Sequence, residues 1–244
     1  MTNYFINKAF GVLPFVVAFL GGQCLHAQNN PDLSTPTRKR FFSKIELVGG
    51  PSLSFLRGNP SVDNNAINSR AFKLGFSFGF GATHSLSEKI ELTGMLLIER
   101  KGTIMNFTST YFDDATQTLK IGEIKDDYKY DYRSLALILD YSFGRKTTFR
   151  AGVGPYISYL ENQVVRRTYT PQGTWNLEDQ ILFDKRWDFG CAIKFSCIVP
   201  LNKKISFQTQ LLNLWGLANT RADPNYGVIK TNNTNLLFGI IIKR

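Results

Sequence analysis

Apolar side chains occupy every second position from Phe72 to Ala82, where the chain reads F-K-L-G-F-S-F-G-F-G-A. Phe72, Leu74, Phe76, Phe78 and Phe80 share one face of an extended strand, and Lys73, Gly75, Ser77, Gly79 and Gly81 share the other. A soluble sheet also buries an apolar face, but rarely sets so many phenylalanines against such slender partners. The run's eleven residues match the about 9–11 that a tilted strand needs to cross bilayer hydrocarbon. Taken alone, the stretch fits a membrane-spanning stave and a sandwich strand of an exported protein equally.

The same period recurs along the chain. Lys44–Leu56 puts Ile45, Leu47, Leu53 and Phe55 on one face, and Pro51 predicts a bulge or break because proline cannot donate to a sheet ladder. Lys89–Arg100 sets Ile90, Leu92, Leu96 and Ile98 against Glu91, Thr93, Met95, Leu97 and Glu99. Tyr130–Phe143 aligns Leu135, Leu137, Leu139 and Tyr141, and Thr148–Leu160 aligns Phe149, Ala151, Val153, Ile157 and Tyr159. Lys185–Ile198 alternates Trp187, Phe189, Cys191, Ile193, Phe195 and Cys197 with Asp188, Gly190, Ala192, Lys194 and Ser196. Lys204–Trp215 carries Ile205, Phe207 and Leu211, and the last run, ending at Arg244, carries Leu236, Phe238, Ile240 and Ile242.

The connections between these runs alternate in length. The polar segments Gly58–Arg70, Gly102–Lys129, Glu161–Asp184 and Gly216–Gly227 are predicted as long loops. Short turns lie around His84–Glu88, Gly144–Lys146 and Pro200–Lys203. Transmembrane barrels have even strand numbers, short periplasmic turns and long extracellular loops. A soluble sandwich has no reason to alternate in this way. The predicted fold is therefore all-β: an eight-stranded antiparallel transmembrane up-and-down β-barrel, preceded by a cleavable signal peptide.

The leader occupies residues 1–27: Lys8 is basic, Phe10–Gly22 is apolar, and Leu25-His26-Ala27 offers a cleavage site. Gln23 before Cys24 makes a poor lipid-attachment motif. Residues 28–43, with Pro31 and Pro36, form a periplasmic lead-in, and residues 44–244 the barrel, which places the N-terminus in the periplasm and the protein in the outer membrane. A hydrophobic content of 43% excludes a multi-helix membrane protein but not a barrel, whose strands are half polar or small. Twenty Phe, ten Tyr and twenty Gly suit curved sheets with aromatic interfaces. Cys191 and Cys197 lie about 20 Å apart along one strand, too far for a disulfide.

The net charge of +10 calls for anionic partners, yet the basic residues are scattered through turns and loops rather than clustered as a nucleic-acid site would need. The expected partners are outer-membrane lipid and lipopolysaccharide, the barrel-assembly machinery, and a protein met at the extracellular loops or in a secretion apparatus; no nucleic acid is expected. In the predicted registration Glu46, Lys73, Glu91, Glu99, Asp140, Arg150, Asp188 and Lys194 point into the lumen. A barrel of about eight strands leaves room only for side chains, so these groups predict an ion-paired plug rather than a pore. Tyr132, Tyr141, Tyr159, Trp187 and Trp215 are placed in aromatic girdles at the strand ends. An arginine at Phe76 or Phe78 is expected to cost more than one at Ser77.

Catalytic chemistry finds little support. Once the leader is removed His84 is the one histidine, and although Ser85 and Ser87 flank it, it sits in a periplasmic turn, away from the lipid A of the outer leaflet. Asp113, Asp114, Asp126 and Asp127 could offer calcium oxygens, but without the spacing of a calcium loop. Gly79–Gly81 lies inside a strand, with no phosphate-cradling context. No catalytic, cofactor-binding or metal residue is assigned, no cofactor is expected, and the reading is non-enzymatic. An outer-membrane lipid-modifying enzyme and a soluble lipocalin-like ligand-binding barrel are the alternatives.

Several segments carry a family resemblance. Glu99-Arg100-Lys101-Gly102 resembles the charged strand end, and Tyr132–Tyr141 the fourth strand, of the small outer-membrane β-barrel proteins common in Bacteroidetes, the group that includes PorT-type proteins. Gly154-Pro155-Tyr156 and Asp188-Phe189-Gly190 resemble two further motifs of that family. Ala136 stands where a proline is expected, and the chain ends in Lys243-Arg244 rather than an aromatic residue. The resemblance implies an integral outer-membrane barrel associated with the secretion and maturation of exported proteins. It implies no active-site residues.

Overall fold

Period-two patterning leaves each strand with one apolar and one mixed face, and closing the sheet on itself lets both be used. The structure, a computed structural model, describes residues 42–60, 67–113, 116–144, 147–170, 173–178, 185–220 and 227–243. The leader and most of the lead-in lie outside the described residues. Nine strands follow in order: β1 (Lys44–Pro60), β2 (Ile67–Ser85), β3 (Ile90–Asp113), β4 (Thr118–Phe143), β5 (Thr148–Thr170), β6 (Gly173–Glu178), β7 (Trp187–Pro200), β8 (Ile205–Gly216) and β9 (Gly227–Lys243). Every neighbouring pair is antiparallel, and β1 pairs with β9 while β4 pairs with β5, so eight strands form a closed ring. The short β6 is an addition that pairs only with β5.

The facing assignments hold. Phe72, Leu74, Phe76, Phe78 and Phe80 all point outward and are exposed, as are Leu96, Ile98, Leu135, Leu137, Ile193, Phe195, Phe238 and Ile240 on other strands. An outward apolar surface of this extent belongs against lipid, because soluble proteins rarely expose such a contiguous area. Inward positions are small where neighbours are large. A Cβ added to Gly79 would lie 2.6 Å from Leu97 Cδ2 and 3.1 Å from Val48 Cγ2.

Two expectations are corrected. Gly102–Lys129 and Glu161–Asp184 are not simply loops. The β3–β4 ladder runs unbroken from Ile90↔Tyr141 to Asp113↔Thr118, and β5 follows β4 up to Glu123↔Thr170 before turning into β6. Gly58–Arg70 is likewise shorter than expected, since β1 reaches Pro60 and β2 starts at Ile67. Tyr132 belongs to no girdle: it points inward and is buried, whereas Tyr141, Tyr159, Trp187 and Trp215 do face outward. Pro51 breaks one ladder only. Gly50 and Pro51 keep their β2 partners, Ser77 and Phe76, but have none on β9.

Candidate functional site

Inward side chains fill the lumen in layers. At the end carrying the short turns, Arg150 Nη1 donates to Glu46 Oε1 at 2.7 Å and its Nε lies 3.1 Å from Glu91 Oε2. Lys44 closes this group by pairing with Glu91, and Gln208 and Thr83 donate to Glu46. Beside it Lys194 Nζ meets Asp140 Oδ2 at 2.6 Å, which also accepts from Thr93 at 2.7 Å. Both cations are 2% exposed. A buried charge this far from water is tolerable only when paired and hydrogen-bonded, as these are.

Above the charges lies an apolar layer of Val48, Met95, Leu97, Ile138, Leu212, Leu214 and Leu237. A polar layer follows. Glu99 accepts hydrogen bonds from Ser134, Asn233 and Asn235 at 2.5, 2.6 and 3.2 Å. Lys101 Nζ is 3.6 Å from Glu99 and stands over the rings of Tyr132 and Tyr156, 4.6 and 5.4 Å from their centroids. Asp188 accepts from Tyr156 Oη and Thr231. At the hairpin end a second apolar cluster, including Met105, Phe107, Tyr130, Tyr132 and Leu160, covers the polar layer.

Beyond this cluster the β3–β4–β5 extension carries its own ion pairs. Arg167 grips buried Asp126 with two bonds of 2.7 Å, and hydrogen bonding to Asp126 pushes the guanidinium pKa up. Lys73 pairs with Asp127. Of the acids weighed as calcium ligands, Asp126 and Asp127 are thus committed to cations, and among the described residues no group of His, Cys, Asp or Glu is arranged to hold a metal. The side chain of Asp113, and all of Asp114, lie outside the described residues.

His84 lies at the last turn-end positions of β2, with Ser85 beside it. Ser85 Oγ is bonded to Ser43 Oγ, and Ser87 Oγ accepts the backbone N–H groups of Lys89 and Ile90. These serines shape a turn. Cys191 and Cys197 are free thiols. All eight lumen residues named from sequence point inward, Lys73 half-buried and the rest buried. Sequence reasoning misses Lys101, placed only in the charged strand end Glu99–Gly102, and Asn233 and Asn235, given no facing at the start of the last strand, although all three share the inward parity of their strands.

Two outward aromatic belts bound the apolar band. Tyr141, Phe143, Phe149 and Phe195 stack in series at the turn end, with centroids 5.7–6.4 Å apart. Phe55 with Phe72 and Tyr159 with Trp187 form edge pairs at 4.9 Å toward the hairpin end. Such belts sit at membrane–water interfaces.

Residues 26–221 match the family described as "Outer membrane protein beta-barrel domain". No curated protein matches the chain. Among solved structures, Neisserial surface protein A is similar at 9% identity and a TM-score of 0.39, covering 82% of this chain and 97% of that one. OprG of Pseudomonas aeruginosa aligns at 12% identity and a TM-score of 0.38, covering 83% and 96%. Outer membrane protein W of E. coli aligns at 15% identity and a TM-score of 0.34, covering 83% and 98%. The assignment rests on the family match.

Proposed function

This chain belongs to the outer membrane protein β-barrel domain family, and on that premise we propose a non-enzymatic, non-conducting barrel that works through its protruding hairpins. In this reading residues 1–27 are removed on export, the short turns and N-terminus face the periplasm, and β3–β4 and β5–β6 stand outside the cell. A protein met at the cell surface, or a component of a secretion apparatus as the PorT-type resemblance implies, docks there.

The observation that supports this most is where order continues. Among the described residues the lumen holds paired charge and apolar layers, which supports a closed barrel, while β3 and β4 stay zipped far above the apolar band. From Ile98 to Asp113 that hairpin runs on for about 50 Å along the strand at about 3.3 Å per residue. Structure held so far beyond the membrane has a use outside it.

The experiment has two arms. In planar bilayers the purified barrel is expected to give no conductance steps, and sustained channels would defeat the closed-barrel reading. In cells, a variant lacking Met105–Asp126, whose ends are cross-strand partners, is expected to fold with heat-modifiable gel migration. It should nevertheless fail to replace the full chain in surface adhesion or export of secreted proteins. Full replacement by the shortened variant would remove the hairpin from the function.

A further inference from the structure

Ion pairs line the hairpin-end rim on one half of the ring: Arg100 Nε lies 2.7 Å from Asp131, and Arg133 grips Glu161 at 2.9 and 2.6 Å. The half made by β8, β9, β1 and β2 differs. Among the residues of these strands Glu46 is the sole carboxylate, and it is buried in the lumen. Yet Arg57 and Lys230 stand directly opposite each other across β1 and β9, an arrangement that destabilises a sheet unless an anion compensates it. Arg70 adds a third cation, donating to the carbonyl of Gly58 at 2.5 Å. Arg57 itself lies across β9. Its Cζ is 3.8 Å from the centroid of the Trp215 ring, its Nη2 donates to the Gly216 carbonyl, and its Nε is buried without an acceptor among the described residues.

The height of this cluster follows from β1. Its outward apolar residues run from Ile45 to Phe55, about 33 Å along the strand, or about 25 Å at a tilt of about 40°, which is the height of a barrel's hydrophobic band. Arg57 is the next outward position, at headgroup level. Beneath it the band is notched. The apolar outward residues of β8 run from Ile205 to Leu211 and resume at Trp215, and those of β9 run from Ile242 to Leu236 and resume at Val228. In the gap stand Asn213, Thr234 and Asn232, with Asn213 Nδ2 donating to Asn232 Oδ1 at 3.0 Å and Thr234 Oγ1 at 2.7 Å. Asn232 is cross-strand partner to both Trp215 and Phe55 and so shares their outward face.

We infer that this notch, with Arg57, Arg70 and Lys230 above Asn213, Asn232 and Thr234 and Trp215 at its side, binds the phosphorylated sugar headgroup of an outer-leaflet glycolipid. Guanidinium groups take phosphate oxygens in charge-assisted pairs, which here would also relieve the Arg57–Lys230 repulsion. The half-buried Asn213 and Thr234 meet sugar hydroxyls or amide-linked chains, while Asn232, only 5% exposed, backs them. A lipid with phosphate alone would leave Asn213 and Thr234 facing hydrocarbon. Acyl chains then run down over Leu53, Phe55 and Phe72.

The inference rests on the outward orientation of the hairpins proposed above. Protease shaving of intact cells tests that orientation alone: hairpins protected in intact cells would overturn it. The site is tested independently of orientation, by native mass spectrometry of the full barrel in phosphatidylcholine nanodiscs doped with bisphosphorylated lipid A, dephosphorylated lipid A or phosphatidylglycerol. Wild type and Arg133→Gln, on the ion-paired half, are expected to retain bisphosphorylated lipid A equally. The double variant Arg57→Gln/Lys230→Gln should retain it about 25-fold less, each basic group near an anionic surface being worth about fivefold. Should that variant not fold, Asn232→Asp, which sets an acid under the cations, should lower retention likewise. Equal retention by the folded variant, equal retention of phosphatidylglycerol by wild type, or displacement of the lipid by inorganic phosphate would each overturn the glycolipid site.

Discussion

Arg150 shows how much a single lumen residue carries. It sits between Glu46 and Glu91 with almost no exposure, so removing it leaves two acids buried beside Lys44 and Lys194 alone. Arg150→Met is expected to lower stability by about 3–5 kcal/mol, the cost of breaking a buried pair from one side. Urea titration of the barrel refolded in lipid vesicles reads this directly, and a loss below about 1 kcal/mol would mean the layer is wetter than its burial indicates. Ser77 corrects an expectation at the same scale. It is fully buried and donates to Asn235 Oδ1 at 2.6 Å, so an arginine there meets a packed lumen and is no milder than one facing lipid.

At the level of elements, β2 behaves as its alternation foretold, and β4 shows where that alternation stops being informative. Even-numbered residues of β4 from Gly122 to Asp140 face inward or are partly buried, and odd-numbered ones face outward. Within the band the outward set is Leu135, Leu137 and Leu139; beyond it the set is Lys125, Asp127, Lys129, Asp131 and Arg133. The parity never changes, but the solvent outside does, so the outward residues switch from apolar to charged at Arg133. Read for apolar periodicity alone, the upper half looks like a polar loop, and Tyr128, Tyr130 and Tyr132 look like interface aromatics rather than the inward cap they form. The lumen charges were legible because lipid forces every exception to the apolar face inward. The Arg57–Lys230 juxtaposition was not, because it depends on register between the first and last strands. For β2, Phe76→Arg is expected to cost about 2–4 kcal/mol near the midplane, and Phe76→Leu less than about 1.5 kcal/mol. Equal costs for the two, measured by the same titration, would remove Phe76 from the lipid face.

Across the whole molecule, pairings differ greatly in how far apart in the chain their members lie. Most neighbours in the ring join through hairpins, as Leu96↔Leu135 does. The β1–β9 seam instead joins Leu47 to Ile240 and Lys44 to Lys243, nearly the full length of the barrel sequence. Loop-closure entropy makes such pairing slow, and contacts of this span form after local ones. The same seam is where Gly50 and Pro51 lack partners on β9. In a background free of native cysteines, a Leu47→Cys/Ile240→Cys pair is therefore expected to cross-link later during refolding than a Leu96→Cys/Leu135→Cys pair. Simultaneous cross-linking would rule out late closure. Pro51 thus places an interruption in the side of the zipper that closes last, a sheet edge left open longest where an assembly factor can hold it before the ring shuts.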